Sequence, residues 1–446
     1  METLFFKEAT RGLILECRSR KYRLDYPSRI WKGYPRGAKD VLVDNLAHLL
    51  TINLPLISGA ETVRYNTAVP VFKPAYDSMV IEGIPGSVEP YPEDTAEVIR
   101  RFLNINYIFE NNEAKHPTAK GKSRERAVVA MSCGKDSLLS LAVCHELGLE
   151  PVPVYINDTV SPAENRIKQK FLKKLAADFG FDLHIVKNEI EQINDFETWG
   201  KDESCLGYMH MMTGFALILL PFAHYYKARY IILGNQQNMN FGFLNKDGYW
   251  TWPSFDQTHY WTKRQDTMAR VLTGGATHVC SVIEPLTNLA IMRVLLHEYP
   301  GFAKYMVSCD SLDASDETRW CHDCSKCARL QMLTRAAGSN IRHIGFHHDM
   351  LQKKHRKFYC LFDGEEVDHY ERSAEARDEQ LFAFFLAWQN GASGPLMVEF
   401  EKDLLTEAME REEELQKRFF TFYHPFAIPA RLRKRVLNFY EREFLQ

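Results

Sequence analysis

Two groups of residues in this chain could do chemistry. The first is Ser132-Cys133-Gly134-Lys135-Asp136-Ser137, which directly follows the apolar run Ala127-Val128-Val129-Ala130-Met131. A short turn of small residues between a strand and a helix exposes backbone N–H groups at the positive end of the helix dipole, a setting that suits phosphate. Ser132 and Ser137 add hydroxyl donors, and Gly134 allows close backbone approach. Lys135 either neutralises phosphate charge or points to solvent. Asp136 repels phosphate and is expected to hold the loop or a Mg²⁺ carried by the nucleotide. This is not a Walker loop, because no Gly-Lys-Ser/Thr follows a glycine at the required spacing. The second group is Cys309, Cys321, Cys324 and Cys327, spaced C-x11-C-x2-C-x2-C. Four thiolates suit tetrahedral Zn²⁺, and two-residue gaps place neighbouring sulfurs on one ion. His322 lies inside the cluster and could replace a thiolate. With four protein ligands such a site is structural.

The elements that must position these groups follow from the apolar pattern. From Ala127 onward, strand-like runs at Ala127–Met131, Val152–Ile156, Leu183–Val186, Tyr230–Leu233 and His278–Ile283 alternate with amphipathic stretches. Those stretches, Leu138–Leu147, Glu164–Phe179, Leu206–Tyr226 and Thr258–Leu272, are predicted helices. Alternation predicts an α/β fold, a doubly wound parallel five-stranded sheet covered on both faces, with ligands beyond the carboxyl ends of its strands. Residues 1–115 form a small α+β accessory domain, with strands expected at Gly12–Cys17, Glu61–Tyr65 and Ser78–Gly83 and helices near Val41–Leu50 and Asp94–Leu103. Asn111–Arg126 is expected to be a linker. The nucleotide domain spans 125–340, and 341–446 is a mostly helical C-terminal region.

Composition narrows the class. The chain has 446 residues, too many for one ordinary domain, and 45% hydrophobic content supports a large core. A net charge of −3 offers no global attraction for nucleic acid. Six of the 10 cysteines are scattered and four are clustered, which suits a reducing cytoplasm with one metal site better than a disulfide framework. The N-terminus lacks a basic segment followed by a long apolar stretch, so no signal peptide is expected. The most apolar window, Gly214–Ala223, falls short of the ~20 residues a membrane span needs, and a core helix is expected there.

The loop resembles the Ser-Gly-Gly-x-Asp-Ser loop of the PP-loop ATP pyrophosphatases, which cleave ATP to AMP and pyrophosphate. The thiol cluster narrows the resemblance to the 7-cyano-7-deazaguanine synthase branch, whose Ser-Cys, C-x2-C-x2-C and following Arg match Ser308-Cys309, Cys321, Cys324, Cys327 and Arg329. Gly234-Asn235, Phe241-Gly242-Phe243 and Glu284-Pro285-Leu286 match as well. The resemblance covers roughly residues 125 to 340. It implies an adenine nucleotide alpha hydrolase-like sheet with ATP, Mg²⁺ and Zn²⁺ as cofactors. Nucleotide binding falls to Ser132, Cys133, Gly134, Lys135, Asp136, Ser137, Tyr155 and Gly234, with Lys135 and Asp136 as the catalytic pair. The implied reaction is adenylation of a carboxylate, a 7-deazaguanine acid or relative, for attack by ammonia or an amine. Modification of a macromolecule, by tRNA thiolation or by amide conjugation in anti-phage defence, is the alternative. An ATP-binding sensor or scaffold without chemistry is another. A protein or nucleic-acid acceptor and a homodimer stay open, and no membrane partner is expected.

This chain departs from the branch at several points. Cys133 stands where the family has glycine; its thiol is either acidified by the helix terminus or simply a small buried group. Tyr155-Ile156-Asn157-Asp158-Thr159-Val160 replaces the family's residues after the second strand, and Leu244–Trp252 is an insertion. The adenylation machinery is therefore expected to be retained and the substrate pocket rebuilt. Asn235, Gln236, Gln237, Asn238 and Asn240 could read a purine-like edge or line a solvated loop. Trp250, Trp252, Tyr260 and Trp261 could stack a heterocycle or pack a core, and Asp256 could position an acceptor amine or Mg²⁺.

Overall fold

The runs Ala127-Val128-Val129 and Val152-Pro153-Val154 carry apolar side chains in both alternating directions, so their strands must be covered on both faces. The computed structural model describes the chain apart from residues 118–120, 203, 310–311, 313–317, 368 and 445–446, so part of the expected linker lies outside the described residues. The strands are β1 (Glu2–Ala9), β2 (Gly12–Cys17), β3 (Arg20–Asp25), β4 (Thr62–Ala68), β5 (Asn106–Asn111) and β6 (Arg124–Met131). They continue with β7 (Val152–Asn157), β8 (His184–Asn188), β9 (Ala228–Ile232), a hairpin of β10 (Phe243–Leu244) and β11 (Trp250–Thr251), and β12 (His278–Cys280).

Among the described residues, ten of these strands form one sheet in the order β12-β9-β6-β7-β8-β3-β2-β1-β4-β5. The first five are parallel neighbours. The expected five-stranded sheet is thus half of a larger one. β3 pairs antiparallel with β8 through Leu24↔Asn188 and Asp25↔Lys187, which joins the N-terminal strands to the parallel set. An unpaired β8 would expose a row of hydrogen-bonding groups; β3 covers it. So residues 1–115, expected as a small α+β accessory domain, share the sheet and one core with elements of residues 125–340.

Alternate residues of β6 enter different cores. Ala127, Val129 and Met131 join the helix Lys135–Glu146, the cysteine region and the C-terminal helices. Val128 joins the N-terminal elements and the helices between Leu206 and Leu272. The carboxyl end of β6 lies at the topological switch, with β7 on one side and β9 on the other.

Local differences from expectation have simple causes. Ser78–Gly83 lies within a helix, Lys73–Val88, because Tyr76, Met79, Val80, Gly83, Ile84 and Val88 form a helical stripe that a six-residue window cannot distinguish from a strand. Leu206–Tyr226 breaks into a short turn and the helices Met211–Ile218 and Leu220–Tyr226, the second opened by Pro221. In the C-terminal region, short breaks at Leu404 and Arg411 separate the helices Pro395–Asp403, Leu405–Glu410 and Glu412–Phe419. The expected start of the helix Thr95–Leu103 is present: the Asp94 carboxylate accepts from the Glu97 N–H. Among the described residues, two helical stretches, Arg36–Ser58 and Cys205–Tyr226, are long and apolar enough to cross a membrane, but they are 89% and 72% buried and serve as core helices.

The C-terminal region docks where β12 ends. Buried Glu284 accepts hydrogen bonds from the backbone N–H groups of Phe426 and Ala427, Tyr423 N–H donates to the Pro285 carbonyl, and Leu286 pairs with Phe422. Burial, opposed by those two N–H groups, pushes the Glu284 carboxyl up to about 7 from 4.5. Because the folded carboxyl holds its proton to higher pH than the unfolded one, stability is greatest below about pH 4.5 and falls as pH rises through about 7, by on the order of 3 kcal/mol from this group. Glu284→Gln should therefore flatten the decline in melting temperature between about pH 5 and about pH 8; an unchanged slope would contradict the assignment.

Candidate functional site

The loop after β6 is closed on itself. Ser137 Oγ donates to the Gly134 carbonyl (3.1 Å) and accepts from the Ser132 N–H (3.2 Å), while the Gly134 N–H reaches Ser132 Oγ at 3.4 Å. Gly134 caps the helix Lys135–Glu146 with extended backbone. The left-handed turn falls one residue earlier, at Cys133, with φ 61°. Cys133 therefore adopts the conformation that favours glycine, at a cost of about 1–2 kcal/mol. Its side chain is fully buried and points into the core, with Sγ 3.9 Å from the Lys168 carbonyl. Burial pushes the thiol up to about 12, so of the two readings of Cys133 the small buried group holds.

Lys135 is buried and turns inward, not to solvent: Nζ lies 2.6 Å from Asp136 Oδ1 and 3.3 Å from Gln236 Oε1. Burial lowers its ammonium below the usual lysine range, against the pull of Asp136. A Cβ on Gly234, just past β9, would stand 3.2 Å from Asp136 Cβ, so glycine lets the strand end pass against the loop. Tyr155, paired with Met131 across β6 and β7, is buried, and its hydroxyl donates to Asn165. It stands beside the loop, outside the cavity lining.

Lys135 and Asp136 face a cavity of about 440 Å³, which also receives Gln236, Ser308, Lys326 and Arg329. That size lies within the usual range for small-molecule sites. Lys326 and Arg329 come from the first turns of the helix Ser325–Ala336, which the cysteines anchor. Much of the remaining wall is apolar, with Met209, Met212, Met239, Trp252 and Phe255, and Ser254, Asp256 and Gln257 add polar groups to it. Gly83, Gly86 and Ser87 of the N-terminal helix Lys73–Val88 complete it. The β10–β11 insertion is pinned there: Asn245 Nδ2 donates to the Pro85 carbonyl (3.0 Å), and Thr95 Oγ1 donates to Asp247 (2.6 Å). A Cβ on Gly86 would meet the Trp252 carbonyl at 2.7 Å, so the helix and the insertion are packed backbone to side-chain-free backbone.

The amide run serves mainly as structure. Asn238 and Asn288 both donate to Glu379 of the C-terminal helix Ala374–Gln389, at 3.0 and 2.9 Å, and Asn235 donates to Thr262. Of the five amides expected to read a ligand, Gln236 lines the cavity. Trp261 is a core residue donating to Thr213, Trp252 lines the cavity, and Trp250 and Tyr260 are exposed. Sequence reasoning passed over Lys326 and the N-terminal glycines as site residues. Lys326 and Arg329, three apart on a helix opened by Cys324, carried a signal; Gly83 and Gly86 did not, because only the tertiary fold brings them to the loop.

The four sulfurs of Cys309, Cys321, Cys324 and Cys327 all lie within 4.8 Å of one another. A tetrahedron with Zn–S bonds near 2.3 Å has S···S edges of about 3.8 Å, and Cys321 Sγ stands 3.8 Å from Cys327 Sγ. Backbone N–H groups of Cys321, Asp323 and Cys327 point at Cys309, Cys321 and Cys324 sulfurs, each at 3.4 Å, which suits thiolates. The cluster has the donor set and spacing of a zinc-type metal site. His322 stands outside it, packed edge-on against Phe346 and His348, with Nε2 accepting from the His347 N–H.

Compared with protein-family models and with curated proteins, the chain matches none. The thiol cluster predicts about one zinc per chain by plasma mass spectrometry. Cys327→Ser should cut that to less than about a tenth and lower the melting temperature, since metal binding here is folding free energy. Full stability without metal would contradict the assignment.

Proposed function

We propose that this chain is an ATP-dependent, AMP- and pyrophosphate-forming enzyme of the PP-loop type, related to 7-cyano-7-deazaguanine synthase. It adenylates a carboxylate, a 7-deazaguanine acid or a relative, for attack by ammonia or an amine. The parallel strands around β6 are read as a doubly wound sheet of the adenine nucleotide alpha hydrolase kind. The observation that carries the proposal is the convergence of Lys135 and Asp136 from the loop with Lys326 and Arg329 from the cysteine-anchored helix on one cavity at the switch point. An anionic ligand and a zinc scaffold thereby share a wall, which accounts for the two motifs occurring together.

In this reading Lys135, Lys326 and Arg329 balance the pyrophosphate charge beside the start of the helix Lys135–Glu146, while Ser132 and Ser137, whose hydroxyls are bonded within the loop and do not line the cavity, hold the turn in shape. Asp136 would hold Mg²⁺, which neutralises the phosphates when bound. A substrate carboxylate oxygen attacks the α-phosphorus and pyrophosphate leaves. The nitrogen nucleophile then attacks the acyl carbon and AMP leaves. Catalysis is positioning and charge stabilisation, which a pre-formed cavity is suited to supply. Thiolation through Cys133 is disfavoured, because its thiol is sealed in the core and protonated at neutral pH.

Purified protein with Mg-ATP and 7-deazaguanine-7-carboxylate should release pyrophosphate and AMP in equal amounts. Lys135→Ala should lower the rate roughly 10²–10³-fold, while Cys133→Ala should stay within a few-fold of the parent. No pyrophosphate from any carboxylate offered, with ATP bound, would favour a sensor instead; a dead Cys133→Ala variant that still folds would revive thiolation.

A further inference from the structure

The cavity holds two carboxylates in different settings. Asp136 is tied to the Lys135 ammonium at 2.6 Å on the phosphate side. Asp256 lies in the short turn Phe255–Gln257, on the wall formed by Trp252 to Gln257 and the helix Met211–Ile218. It is 4% exposed. Neutral donors hold it: the Met212 N–H reaches Oδ2 at 2.8 Å and Ser254 Oγ reaches Oδ1 at 3.0 Å, while Gln265 fixes its backbone carbonyl at 3.0 Å. A carboxylate accepts at about four lone-pair positions, so these contacts orient it and leave acceptor capacity.

We infer that Asp256 is the general base for the nitrogen nucleophile, taking a proton from the amine that attacks the adenylate; the inference rests on the adenylation reading above. Its placement separates the two half-reactions. Lys135, Lys326 and Arg329 gather on the phosphate side of the chemistry, and a free carboxylate beside them would repel ATP. On the Trp252–Gln257 wall the same charge attracts an ammonium ion. Burial pushes the Asp256 carboxyl up to about 6, closer to neutrality and so better matched to proton transfer than an ordinary aspartate. His210, whose charge acts on Asp256, is a buried ring engaged by Asn53 at 3.0 Å and by Glu191 at 3.5 Å.

The step balances as follows. Ammonium gives one proton to Asp256, and the freed lone pair forms the C–N bond at the acyl carbon. The bond from that carbon to the adenylate oxygen breaks, its electron pair leaving with AMP. The nitrogen's second proton passes to the departing phosphate, giving an amide.

The test uses full-length protein, ATP, 7-deazaguanine-7-carboxylate and two nitrogen probes. Ammonium chloride needs deprotonation before attack, whereas hydroxylamine is largely neutral at pH 7 and reacts without a base. Asp256→Asn should keep ATP–pyrophosphate exchange and hydroxamate formation, both of which also report a folded site. Its amide formation from ammonium should drop about 10²–10⁴-fold. Equal loss of exchange and amide would place Asp256 in adenylation and overturn the assignment, as would undiminished amide formation. Absence of exchange in the parent protein sinks the adenylation reading itself, and the base with it.

Discussion

The burial of β6 on both faces is the constraint on which the rest depends. A strand flanked by parallel neighbours has no polar edge to offer water, so its side chains must be covered on both sides. Ala127, Val129 and Met131 are fixed in one core and Val128 in the other. The strand therefore cannot slip by one residue without turning each of those side chains to the wrong core. That register sets where Met131 ends and where the loop must turn. Ser132 to Ser137 are thus held at the switch point by packing, and their own contacts only refine the turn.

The flanking regions that looked like additions complete the cavity. β3 closes the open edge of β8, which brings the helix Lys73–Val88 against the segment from Thr251 to Asp256. On the other core, Glu379 is gripped by Asn238 and Asn288, and Glu284 by the backbone of Phe426 and Ala427. Buried carboxylates matched to donors from distant segments are costly to leave unpaired, so each contact specifies where the C-terminal region sits. The site is therefore a product of the whole chain.

Legibility in the sequence followed the range of the interaction. The parallel strands, the loop and the four cysteines rest on local patterns, and the structure has them where those patterns lie. The β3–β8 pairing was not readable, because two register pairs between Leu24–Asp25 and Lys187–Asn188 leave no composition signal. Ser78–Gly83 misled because a short apolar window fits both periods. The amides after β9 were legible as polar and well placed, yet their partners, Thr262 and Glu379, lie 27 and 141 residues away. Their structural role could not be read locally.

The loop turns left-handed at Cys133, φ 61°, a conformation in which glycine would be free of strain, and accepts about 1–2 kcal/mol to do so. Two features offset that cost. The thiol fills a site in the core that glycine would leave vacant, and the Cys133 carbonyl accepts from the Val307 N–H at 2.9 Å. Val307 leads directly into Ser308 and Cys309, so that hydrogen bond ties the loop after β6 to the cysteine cluster. A Cβ on Gly134 would come within 3.5 Å of Ser308 Oγ, which places the two segments in contact. The strain at Cys133 is sustained by the segment it leans on, which runs directly into the cysteine cluster. The two motifs are then one mechanical unit, and loss of the cluster would be felt first in the turn that positions Lys135 and Asp136.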